Sequence, residues 1–286
     1  MRLLRKNLVD GSRASADAKC RRKLTSDLLV AQNRGQGLRM AKFYNYISRQ
    51  RFTDSDDSGV NESFHVKARH VGKRNTRYHP YLIANEWIAA EIAWFLRLPV
   101  APHSLMQKKD SRTRMFVGLN FEADTVPTDA DPAILWEVHP WLCSGIIVFD
   151  VLVANPDRHT GNIKVDRQAK PRRVDIFDHE QSLLSFMRSR GARRLSSFWD
   201  EFGAENHCLV DVADSAKDFG HWVDRVREIP RWFINDVCKE VRGVGVSKRD
   251  CERVRAFVEH RSECLEAIIM KHQGMFRNVR NWGVLL

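Results

Sequence analysis

From position 82 to 96 the apolar residues Leu82, Ile83, Trp87, Ala90, Ala93, Trp94 and Phe95 recur at steps of three and four, which predicts an amphipathic helix ended by Pro99 and Pro102. A second run, 134–153, rich in Trp, Leu, Ile and Val, predicts one long helix. Before these, a polar run at 52–63 feeds the alternating Phe64, Val66 and Ala68, the pattern of a strand. An apolar run at 115–121 has strand length, and Val165 and the residues 174–177 predict two short strands flanking the basic turn 167–173. Helical patterning continues from there to the end, where Ser247 followed by Asp250 signals the N-cap of a last helix with Val254, Phe257, Val258, Leu265 and Ile268 on its core face. Periodicity is weak over 1–39, with one short helix expected at 24–32, capped by Thr25 or Ser26.

A small strand-rich part with one helix, followed by a larger helical part, predicts a bilobal α+β architecture. The expected divisions are a basic N-terminal extension at 1–39, a smaller lobe at 40–122, and a larger, mostly helical lobe with a helical tail at 123–286.

Composition adds limits to this picture. A chain of 286 residues with 43% hydrophobic content can bury a core, so disorder throughout is excluded. No uncharged apolar stretch long enough to span a bilayer and no apolar segment of a secretory signal are found in the sequence, so a cytoplasmic protein is expected. Six cysteines without a Cys-x-x-Cys pair are expected to be reduced thiols. The charge of +11 is concentrated in residues 1–50, where twelve Lys or Arg face three acids. Such an arm suits nucleic acid or an acidic partner, and equally a solvated leader or a transit peptide, with Met40 as an alternative start.

The sharpest chemical signal is Asn155-Pro156-Asp157-Arg158-His159-Thr160-Gly161-Asn162, placed between an apolar helix and a strand. Phosphoryl transfer needs a carboxylate to orient and deprotonate an acceptor hydroxyl, and hard oxygen ligands for a phosphate-bridging metal. Asp157 and Asn162, five residues apart, have the Asp-x-x-x-x-Asn spacing of a kinase catalytic loop. Asp178 ends a strand sixteen residues beyond Asn162 and is the expected metal-binding carboxylate. Lys67, on a strand, can reach phosphates, and Glu86 on the following helix is the carboxylate expected to orient it.

With Asn85-Glu86-Trp87-Ile88-Ala89-Ala90-Glu91, the Leu98-Pro99-Val100-Ala101-Pro102 segment and Phe177-Asp178-His179, these motifs resemble the HipA-like kinases, bacterial relatives of the phosphatidylinositol 3- and 4-kinase fold, over about residues 60–185. The resemblance implies a protein-kinase-like fold, ATP and Mg²⁺ as cofactors, and a Ser, Thr or lipid hydroxyl as acceptor. It makes Asp157 the catalytic base, Asn162 and Asp178 the metal ligands, and Lys67 with Glu86 the phosphate-binding pair; His159 and Arg158 support the loop. No Gly-x-Gly-x-x-Gly precedes Lys67, only Gly59 in a Ser/Asp-rich segment whose Ser55, Ser58 and Ser63 read as turn residues or as self-phosphorylation sites. The run 115–121 is expected to be the interlobe linker, with Glu122 or Asp124 at the ribose, and Trp222, Trp232 and Phe233 are expected to pack the larger lobe.

The function expected first is a serine/threonine protein kinase with a protein substrate, and with an antitoxin-like regulatory partner as in toxin–antitoxin kinases. A lipid or small-molecule kinase is the alternative enzyme. A non-catalytic basic module that binds nucleic acid or protein on a kinase scaffold is the alternative outside enzymes.

Overall fold

In a computed structural model of the chain, residues 48–51, 64–109, 111–120, 128–166, 173–184 and 191–282 are described, and all lie in one compact unit, Tyr44–Leu286. The expected helix at 24–32, the serines of 52–63, and Glu122 and Asp124 lie outside the described residues. Strand β1 (Ser48–Arg51) pairs antiparallel with β2 (Phe64–Lys67). A separate antiparallel sheet has the order β3 (His70–Lys73), β5 (Arg114–Leu119), β4 (His103–Gln107). The run expected as an interlobe linker is thus in its first part the central strand of this sheet, because Phe116 and Val117 are buried there and both edges are paired.

Helix α1 (Leu82–Phe95) forms where its period predicts, but it is buried around most of its circumference, with Asn85 and Glu86 inside and Trp94 exposed. The amphipathic reading fails because α1 packs on the sheet on one side and on the helical part of the chain on the other. It ends in a Schellman arrangement at Arg97 (φ 60°), where Leu98 N donates to Ala93 O at 2.8 Å. Ile176 N then donates to Pro99 O at 2.9 Å, which ties the exit of α1 to the third sheet.

The single helix expected over 134–153 is two, α2 (Pro132–Val138) and α3 (Pro140–Val153), bent by 118°. Pro140 excludes helical geometry at His139 and starts a new helix at its own position. Asp131 caps α2 by accepting from Ala133 N at 3.0 Å. Residues 143–153 of α3 are all buried, so this helix is the axis of the larger core. No single helix among the described residues is long and apolar enough to cross a membrane; α2 and α3 pass such a test only as a bent pair.

The third sheet is antiparallel, β6 (Thr128–Asp129), β7 (Ile163–Asp166) and β8 (Arg173–Ile176), with the expected hairpin between β7 and β8. The chain then runs through α4 (Gly191–Ser197), α5 (Phe219–Arg227), α6 (Arg231–Glu240), a 3-10 turn (Val241–Val244) and α7 (Lys248–Lys271). Ser247 Oγ accepts from Asp250 N at 3.0 Å, as its spacing predicts. Trp222 is buried and Phe233 packs against the core, but Trp232 is 65% exposed and does not pack the larger part.

Candidate active site

The loop 155–162 starts where α3 ends. Ala154 takes the left-handed conformation (φ 50°), Asn155 N donates to Asp150 O at 2.9 Å, and the chain turns out of the helix. One turn back, the buried Asp150 carboxylate collects Asn155 Nδ2 at 2.8 Å, Arg158 Nε and Nη2 at 2.8 and 3.0 Å, and His207 Nε2 at 3.0 Å. Burial works against the charged carboxylate, but the Arg158 guanidinium and the His207 hydrogen bond hold it well below the usual range. Arg158 Nη1 donates onward to Asn162 O at 3.1 Å and to Phe177 O at 2.8 Å. One buried side chain therefore fastens both ends of the loop to the residue preceding Asp178.

Within the loop, Asn162 Nδ2 donates to Asp157 O at 2.8 Å, which turns its amide oxygen the other way, and Asp157 N donates to Asn155 Oδ1 at 3.2 Å. Asp157 is left half-buried at the surface of this frame. His159 is exposed, and its Nδ1 accepts from Gly161 N at 3.0 Å, a bond within the loop.

The lysine facing Glu86 is Lys73, not Lys67. Lys67 ends an edge strand opposite Ser48 and is exposed, whereas Lys73 shares the α1-facing side of the sheet with the buried Phe116. Lys73 Nζ lies 2.6 Å from Glu86 Oε1, 2.7 Å from Asp178 Oδ1 and 3.6 Å from Glu180 Oε2. Burial would lower the ammonium pKa, but the charges of Glu86 and Asp178 raise it above its ordinary value. For Glu86, burial is outweighed by the hydrogen bond from His179 and the charge of Lys73, which bring its pKa down to about 2. His179 N donates to Glu86 Oε2 at 3.1 Å, and the His179 ring stands edge-on to Phe149 at 5.6 Å.

Asp178 has φ 61°, a left-handed conformation that costs a non-glycine residue energy and that aspartate tolerates better than most. Asn85 braces the segment from α1, with Nδ2 donating to Glu180 O at 2.9 Å and Oδ1 accepting from Leu184 N at 3.0 Å. Carboxylate oxygens of Glu86, Asp178 and Glu180 lie within 4.8 Å of one another; hard oxygen donors of this kind suit Mg²⁺.

Sequence reading chose Lys67 over Lys73 and missed Asp150, Glu180 and His207. Asp150 had a signal, a lone carboxylate in an otherwise apolar helical run. Lys73 had none beyond proximity to Glu86, since the choice between two lysines depends on strand pairing.

No family model matches the chain, and no curated protein matches it. Among solved structures, it is similar to the Helicobacter pylori proinflammatory kinase CtkA at 14% identity and a TM-score of 0.49, covering 79% of this chain and 96% of that one. It is also similar to a chain of the Shewanella oneidensis HipA, HipB and operator DNA complex at 12% identity and a TM-score of 0.40, covering 90% and 73%.

Proposed function

We propose that the chain is an ATP-dependent phosphotransferase with a bilobal kinase-like arrangement, acting as a serine/threonine protein kinase. The observation that carries this reading is the meeting of Lys73, Glu86 and Asp178, from a strand, a helix and a strand end as far as 105 residues apart in sequence, within hydrogen-bond distance. Desolvating three such charges is costly unless they are paired, and this set matches what a triphosphate and its metal require.

In this reading Lys73 engages the phosphates and Glu86 orients it. Asp178 and Asn162 hold Mg²⁺, which when bound neutralises charge on the phosphates. Asp157 accepts the proton of the acceptor hydroxyl, and Arg158 with Asp150 holds the loop at the distance the transfer needs. Lys73 bonds Asp178 at 2.7 Å, so nucleotide entry exchanges that bond for phosphate contacts.

The test is transfer of labelled phosphate from ATP with Mg²⁺. Asp157→Ala is expected to lower turnover by about a hundredfold or more while ATP binding by calorimetry is retained. Unchanged turnover would remove Asp157 from the reaction, and label found in lipid extracts in place of protein would reassign the acceptor.

A further inference from the structure

We infer that an open cavity walled by the loop after β3, the β4–β5 turn and the Val241–Val244 turn is a binding site for a phosphoryl group, separate from the candidate active site. Its volume is about 440 Å³, and its lining includes Arg74, Arg112, Arg114, Asn75, Thr113 and Gly243, with no acid among the described residues. None of the lining residues belongs to the Asp150 network or to the Lys73 cluster.

The charge balance points to the ligand. Arg74 and Arg112 have no ion pair or hydrogen bond among the described residues, and Arg114 has one, from Nε to Gln107 Oε1 at 2.9 Å. Three guanidinium groups around one cavity repel one another, and a dianion relieves that repulsion. The planar guanidinium fork fits phosphate oxygens in pairs, which a halide cannot exploit.

The walls are fixed as well as charged. Asn75 Nδ2 donates to Val244 O at 3.0 Å while its Oδ1 accepts from Ile83 N at 2.9 Å, so one side chain joins the loop after β3 to the Val241–Val244 turn and to the start of α1. Ile83 brings the start of α1 to the lining, and that first turn holds no acid to offset the positive end of the helix. At Gly243 a Cβ would stand 3.3 Å from Arg114 Nη1, so glycine leaves the guanidinium its room. The cavity has space for a phosphate and a few atoms of its carrier, either a phosphorylated side chain or free phosphate.

The inference is tested by calorimetry on the full chain with inorganic phosphate at constant ionic strength, and with a phosphoserine peptide beside its unphosphorylated form. Saturable binding is expected, weakened at least tenfold in the Arg74→Gln, Arg112→Gln double variant. It should be unchanged in the exposed control Arg231→Gln. Phosphopeptide binding tenfold tighter than phosphate identifies a phosphorylated polypeptide as the carrier, and equal affinity identifies free phosphate. All three substituted arginines are exposed, so a preserved melting temperature separates lost binding from lost fold. The inference is overturned by no saturable binding to the parent, by binding that the double variant keeps, or by binding lost in Lys73→Met alone, which would place the phosphate in the candidate active site.

Discussion

At the scale of single residues, the two lysines make the most discriminating pair. Lys73→Met is expected to weaken ATP binding about tenfold or more and to leave Glu86 and Asp178 facing each other without a cation, whereas Lys67→Met should match the parent in an ATP-dependent thermal shift with Mg²⁺ present. Equal losses in both variants would contradict the placement of Lys73. Asp150 and Glu86 make acid stability a second readout. Each has its folded pKa depressed, so each contributes stability that is complete above the unfolded carboxylate value, 4.5 for Glu86 and 3.8 for Asp150, and is lost as pH falls through the folded one, about 2 for Glu86. His179, whose pKa burial pushes down, adds a loss of the same sign below about 6.5. Urea midpoints should therefore fall from pH 6.5 toward 2, with a shallower slope in Glu86→Gln. At pH 7, Asp150→Ala is expected to cost about 3–5 kcal/mol, because it strands the fully buried Arg158 without its partner.

At the scale of elements, α3 carries both the core and the loop. It crosses α5 at Gly145, where an added Cβ would lie 2.4 Å from the Trp222 ring. That ring is held by its Nε1 donating to Trp141 O at 2.8 Å, so it cannot swing aside freely. Gly145→Ala is expected to lose about 1–3 kcal/mol by chemical denaturation, despite the better helix propensity of alanine. The C-terminal end of α3 is also held from outside: Arg261 of α7 donates to Val151 O and Phe202 O, and Arg194 donates to Ala154 O and Leu183 O. These buried arginines satisfy carbonyls that the helix end and the turns after it leave open. The existence of α1 and α7 and the core face of α7 were legible from apolar spacing, whereas α3 was read as one helix with α2. The ends of α1 and α3 were less legible, because Arg97 and Ala154 take the left-handed cap positions that glycine would have announced.

At the scale of the whole molecule, the excess positive charge lies in residues 1–50, while the described residues belong to the unit Tyr44–Leu286. Removing residues 1–39 is expected to leave the unfolding transition in place and to remove whatever salt-dependent retention on RNA the full chain shows. Retention that survives the deletion would put a nucleic-acid contact on the folded unit itself.

The helices around 82–95 and 248–271, the strands around 64–67 and 173–176, and the presence of Asp157 and Asn162 in kinase-loop spacing with Asp178 sixteen residues on were determined by the sequence alone, since periodicity and residue type are local properties. Which lysine meets Glu86 was decided by tertiary structure: register turns Lys73 toward α1 and leaves Lys67 on an exposed edge. The same holds for Asp150, whose partners Asn155, Arg158 and His207 reach it only once α3, the loop and the segment after α4 pack together. A buried charge is tolerable only where its counter-charges converge, and convergence is a property of the fold.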